Sequence, residues 1–267
     1  SVVAVDDGGT ANGGVNTSAA QTFVLTVTGI NETPTDIALS ATTIAENNAA
    51  NATVGTLSTT DPDTGDTFTY TLVTGTGSTD NASFSLSGAS LRLTPSANYE
   101  AKSSYAIRLR TTDAGGLFYE EAFTISILDV NDAPVITSNG GGASASINVA
   151  ENSTAVTTVV ATDADLPAQG ITYSITGGAD SAKFSIVAAT GVLSFNTAPD
   201  FETKLDVGAN NVYDLIVTAT DDGSPAGTKT QTIAVTVTNV NEAPIITSNG
   251  GGATAAVTIA ENATAVT

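Results

Sequence analysis

The chain of 267 residues contains no cysteine, histidine, methionine or tryptophan. Without cysteine it has neither disulfides nor thiolate metal sites. Without histidine it lacks the usual zinc ligand and the usual general base near neutral pH. Positive charge is scarce too. Seven Lys and Arg face 27 Asp and Glu, for a net charge of -20. Such a balance argues against nucleic acid, where cationic side chains must neutralise phosphates, and disfavours anionic membrane surfaces. No apolar run approaches the length of a membrane span, and the first residues lack the pattern of a signal peptide. The acidic surplus opposes compaction unless cations offset it.

What is present is alternation. Tyr105, Ile107 and Leu109 take turns with Arg108 and Arg110, and Tyr213, Leu215 and Val217 repeat the pattern. Disorder is the alternative for so polar a chain, and this clean period of two argues against it. Phe23, Leu25 and Val27 predict another strand, and Asn12-Gly13-Gly14 predicts a turn ahead of it. About seven short strands, with a turn signal every ten residues or so and no helical period, predict an all-β, Greek-key β-sandwich.

The pattern recurs at roughly a hundred residues. Asn31-Glu32-Thr33-Pro34, Asn131-Asp132-Ala133-Pro134 and Asn241-Glu242-Ala243-Pro244 mark its joints. The expected organisation is the tail of one repeat at 1–33, complete repeats at 34–133 and 134–243, and the start of another at 244–267. Both outer repeats are cut, so a piece of a longer protein is expected.

The acids fall at strand ends and in loops, at five stations in the same order in each full repeat. The first repeat carries Ala45-Glu46-Asn47, Asp61-Pro62-Asp63, Asn98-Tyr99-Glu100, Asp113-Ala114-Gly115 and Asp129-Val130-Asn131-Asp132. The second carries Ala150-Glu151-Asn152, Asp163-Ala164-Asp165, Asp200-Phe201-Glu202, Asp221-Asp222-Gly223 and Asn241-Glu242. Any one of these is as well explained as a solvated turn residue. The ordered set of five, twice, is not. Asp7, Asp66 and Asp222 fit plain turn roles. Paired acids such as Asp163 and Asp165 raise the thought of a glycosidase, but nothing places them in an apolar cleft.

These motifs resemble the cadherin repeat over essentially the whole chain. The Gly, Thr and Asn bias makes the chain more similar to the cadherin-like repeats of bacterial surface proteins than to animal cadherins. The resemblance implies calcium bound between consecutive repeats, usually three ions per joint. Carried over by motif, the middle joint takes Glu46, Glu100, Asn131, Asp132, Asp163, Asp165 and Asp221. Backbone carbonyls near Val130, Ala133 and Gly170 complete it. The upstream joint keeps Asn31, Glu32, Asp61, Asp63 and Asp113. The downstream joint keeps Glu151, Asp200, Glu202, Asn241 and Glu242. Carboxylate and amide oxygens in number are what a hard cation takes. Asn98 stands where the family has Asp, and Glu32 and Glu242 replace the joint Asp, so unequal affinities are expected. The implied function is a calcium-stiffened extracellular segment of a surface adhesin or filament. Its implied partners are neighbouring repeats, with like chains or surface glycans as the recognition alternative. No enzyme is implied.

Overall fold

The computed structural model describes residues 1–7, 10, 13, 15, 17–254 and 256–262. The expected turn at Asn12–Gly14 lies in part outside them. The chain divides into two compact units, Ser1–Val130 and Asn131–Thr267. The described residues contain no α-helix.

The first unit holds one sandwich of eight strands: β1 (Asp36–Leu39), β2 (Thr43–Ala45), β3 (Ala52–Thr60), β4 (Thr69–Leu72), β5 (Phe84–Ser87), β6 (Ser90–Leu93), β7 (Ser104–Thr112) and β8 (Phe118–Leu128). One sheet runs β1-β3-β6-β5 and the other β2-β8-β7-β4. The first two strands are split between sheets: β1 pairs antiparallel with β3, and β2 pairs parallel with β8. That parallel pair sets Ala45 opposite Leu128, which brings Glu46 to the end of the chain's last strand in the unit.

Along β7 the odd residues Tyr105, Ile107 and Leu109 are buried and Arg108 and Arg110 stand on the other face. The buried residues meet Leu91, Leu93, Ile125 and Ile127 in a single core, with Phe84 edge-on to Tyr105 at 5.6 Å. Burying such apolar area is the main favourable term in the fold. On the outer face Glu120 takes Arg108 at 3.0 Å and Arg110 at 2.5 Å.

The second unit repeats this plan in β9 (Val135–Ile136), β10 (Ser144–Ala150), β11 (Ala155–Thr158), β12 (Ala161–Thr162), β13 (Thr172–Gly177), β14 (Phe184–Ile186), β15 (Val192–Phe195), β16 (Val212–Thr220) and β17 (Thr228–Thr238). One sheet runs β10-β17-β16-β13, again with a parallel pair at β10 and β17. Facing strands run β11-β15-β14, and β9 pairs with β12. Its core gathers Phe184, Phe195 and Tyr213 with Leu215, Val217, Ile233 and Val235.

One strand expectation is corrected. Residues 22–30 form no strand. Phe23, Val24 and Leu25 are 75%, 86% and 89% exposed. Alternation forms a strand only when a neighbouring strand supplies hydrogen bonds and a core covers one face. Within residues 1–33 only the isolated bridges Val2 to Gln21 and Val5 to Thr17 are present among the described residues.

Candidate metal centre

In each sandwich the acids collect in two sets. A leading set surrounds the segment that enters the sandwich, and a trailing set surrounds the segment that leaves it.

The trailing set of the first sandwich begins with Glu46, only 3% exposed. Its Oε2 accepts the backbone N–H of Tyr99 at 2.7 Å and its Oε1 that of Val130 at 2.8 Å. Glu46 therefore hooks the loop after β6 to the segment after β8. Oxygens of Glu46, Glu100 and Asp129 lie within 4.8 Å of one another. The second sandwich repeats the hook. Glu151, also 3% exposed, accepts Phe201 N–H at 2.8 Å and Val240 N–H at 2.7 Å. Glu151, Asp200 and Glu202 form the matching cluster. Asp200 accepts Glu202 and Thr203 N–H, and the Thr203 bond leads in holding its pKa below the usual carboxylate range. Burial, then Glu151, Asp200 and Glu242, push Glu202 upward. Glu242 accepts Asn152 Nδ2 at 2.8 Å, and Asn241 is exposed.

The leading set of the first sandwich is built on Asp113, 6% exposed, whose Oδ2 accepts Asn31 Nδ2 at 3.1 Å and whose Oδ1 accepts Leu117 N–H at 2.9 Å. Glu32 N–H donates to Asp63 at 2.7 Å, and Asp63 N–H donates to Asp61 Oδ1 at 2.8 Å. In the second sandwich Asp221 accepts Gly223 and Gly227 N–H and Asn131 Nδ2. Burial raises its pKa, but the bonds from Gly227, Gly223 and Asn131 together leave it lowered. Asp132 N–H donates to Asp165 Oδ2 at 3.0 Å, and Asp165 N–H to Asp163 Oδ1 at 3.0 Å. Burial, with Asp163 and Asp132 adding to it, raises Asp165 to about 6 against the opposing Asp132 bond.

Glycine two residues past each buried Asp has a steric reason. A Cβ on Gly115 would collide with the Asn31 amide, and one on Gly223 with Asn131 Oδ1. Asp-x-Gly is therefore the seat for the incoming Asn of the joint.

The test for a cation lies in the unsatisfied atoms. Asp61 Oδ2 and Asp163 Oδ2, at equivalent places in the two sandwiches, are buried with no donor. Buried polar atoms are normally paired, and an unpaired carboxylate oxygen is costly. No ion pair among the described residues reaches either set: Lys102 pairs with Asp80, and Arg108 and Arg110 with Glu120. Oxygen-only donors with orphaned buried lone pairs fit calcium.

Within each sandwich the structure brings together every site residue expected from the sequence except the exposed Asn241. It adds Asp129 to one trailing set. It also places Asp66, expected to be a plain turn residue, beside two of these acids. Its oxygens lie within 4.8 Å of Asp61 and Asp63, and its Oδ2 is buried without a donor. Burial, then Asp113, Asp61 and Asp63, raise its pKa. Asp222 keeps its turn role, accepting Gly170 N–H at 2.9 Å. Other buried acids are structural: Asp180 accepts Val207 and Asp214 N–H, and Asp206 accepts Asn210 and Asn211 N–H.

Two successive β-sandwiches, each with acids at the segments entering and leaving it, define a class of tandem β-sandwich repeat. The particular family follows from comparison. A family model described as the cadherin domain matches residues 145–238, within the second sandwich, and the relatives below support the same family. The chain is 34% identical to mouse protocadherin Fat 4 over 172 residues, which is 63% of this chain. It is 30% identical to the protocadherin-like wing polarity protein stan of Drosophila melanogaster over 236 residues, or 84% of this chain. It spans only 3% and 6% of the lengths of those two relatives. In fold, it resembles the EC1-2 fragment of human protocadherin-24 with a TM-score of 0.53 at 20% identity, covering 79% of this chain and 100% of that one. These relatives are animal proteins, and none is named as an enzyme. Cadherin domains are extracellular and non-enzymatic and bind calcium as a family.

Proposed function

We propose that the segment is a calcium-binding, calcium-stiffened spacer of a surface adhesin or surface filament. The Thr, Asn and Gly bias and the lack of cysteine favour a bacterial surface protein. The proposed repeats are 34–133 and 134–243, flanked by partial repeats at 1–33 and 244–267. In chain order the trailing set of one repeat directly precedes the leading set of the next. Calcium is shared by the two: Glu46, Glu100 and Asp129 with Asn131, Asp132, Asp163, Asp165 and Asp221, up to three ions. Half of such a joint remains at Asn31, Glu32, Asp61, Asp63 and Asp113, and half at Glu151, Asp200, Glu202, Asn241 and Glu242. The observation that carries the reading is the pair of buried, donor-free oxygens on Asp61 and Asp163. Without metal, two carboxylates about 4.8 Å apart repel by roughly 1 kcal/mol even in water. Metal binding then becomes ordering of the joint.

Small-angle scattering in calcium and in EDTA tests this. The expected result is a stiff segment in calcium that turns flexible on chelation. Identical scattering curves overturn the stiffening. Association of chains that grows with calcium and concentration, or binding to surface glycans, marks a recognition module instead.

A further inference from the structure

Asp66 stands three residues ahead of β4, and Gln169 stands three residues ahead of β13. Both close the loop that follows an Asp-x-Asp step. We propose that this position sets how each leading set behaves without metal. Asp66 is an additional carboxylate ligand, whereas Gln169 is an amide stopper that satisfies Asn131 Oδ1 and Asp165 Oδ2 until a cation replaces it, leaving Asp163 Oδ2 unmet. The inference rests on the calcium reading above and deepens it.

In the first sandwich Asp61, Asp63 and Asp66 present only acceptor oxygens to one another, within 4.8 Å. Asp61 Oδ2 and Asp66 Oδ2 are buried with no donor. With Asp113 the set offers four carboxylates, and only N–H groups and the Asn31 amide donate into it.

The second sandwich has an amide at the place of Asp66. Gln169 Nε2 donates to Asn131 Oδ1 at 2.7 Å and to Asp165 Oδ2 at 2.8 Å. Its positive dipole end thus sits against the two oxygens a cation would take. Its own Oε1 is buried with no donor. Breaking the two bonds frees Asn131 Oδ1 and Asp165 Oδ2 for metal, and Oε1 then supplies a neutral oxygen ligand.

Two consequences follow. The first set is strained in chelator and gains most from calcium, because ligand charge tunes affinity. The second holds its geometry without metal and binds more weakly, since two hydrogen bonds must be exchanged.

The test uses the full 267-residue chain with Asp66→Gln, Gln169→Glu and Gln169→Ala. In EDTA, Asp66→Gln is expected to melt higher than the parent and Gln169→Glu lower. In calorimetric titration with calcium, Asp66→Gln weakens and Gln169→Glu strengthens one class of site by about tenfold. In the parent chain, the Gln169 side-chain amide resonances are expected to be exchange-protected in EDTA and to move on calcium saturation. Gln169→Ala loses the EDTA stability without losing the other calcium sites. Melting shifts that are equal with and without calcium overturn the proposal, as do unchanged affinities in variants of a parent that binds calcium. A parent that binds no calcium overturns the calcium reading itself, a separate outcome.

Discussion

Glu46 and Glu151 make the same pair of backbone bonds in the two sandwiches, to within about 0.1 Å. The leading sets are not copies in that way: one carries Asp66 where the other carries Gln169. The contrast separates two uses of acid. An acid whose oxygens are both engaged by N–H groups builds the sandwich whether or not it also meets a cation, and stays the same in both. On the proposed reading, an acid with a buried, unengaged oxygen is kept for a cation, and its surroundings vary with how much charge that cation must meet. Coupling both uses in one set is how metal binding reaches the fold.

The comparison breaks most violently at the hooks. Glu151→Ala leaves the N–H groups of Phe201 and Val240 without their acceptor. Hydrogen bonds to charged groups contribute about 1.5–3 kcal/mol each, so urea unfolding should report a loss of about 3 kcal/mol or more in EDTA, and at least as large a loss in calcium, where a proposed ligand goes as well. Asp163→Asn should behave oppositely in kind. It removes charge from an oxygen with no donor, so the melting temperature in EDTA holds or rises, while that in calcium falls.

Gly223→Ala gives a smaller effect, about 1–3 kcal/mol, because the added methyl displaces the Asn131 side chain from its seat. Circular dichroism melts should place the loss in both buffers, with calcium affinity reduced as well.

The smallest effect is a pH dependence. Asp165 in the folded chain is raised to about 6, whereas an unfolded Asp titrates near 4. The folded state therefore holds the proton more tightly. In EDTA, stability from this group is full below about pH 4 and is lost as pH rises towards 6. In calcium the order reverses, because the ligand must be ionised. Asp80, Glu120, Asp200, Asp206 and Asp221 are lowered instead, so their stability is lost only as pH falls below about 4.

Much of this could be read from the residues in order. Period-two runs such as Tyr105–Leu109 and Tyr213–Val217 became β7 and β16 because each had a core face to bury. Phe23–Val27 has the same pattern and no strand, because periodicity does not reveal whether a partner exists. The short β9 and β12 were not legible either, since two-residue strands carry no period. For the site, spacing exposed the acids but not their division of labour. Nothing in Ala-Glu-Asn announces that Glu46 joins two loops 53 and 84 residues away. Asp66 was hidden because a lone Asp after Gly is ordinary turn chemistry, and only the fold shows it facing Asp61 and Asp63. The signal that would have found it was the matching distance to the next strand in both repeats.

The central claim is that donor-free carboxylate oxygens are kept for calcium. Calorimetric titration of the metal-free chain, beside an Asp61→Asn, Asp163→Asn double variant, addresses it most directly. Saturable calcium binding in the parent, lost or greatly weakened in the variant, is the expected result. Equal stoichiometry and affinity in both, or no binding by the parent, would contradict it.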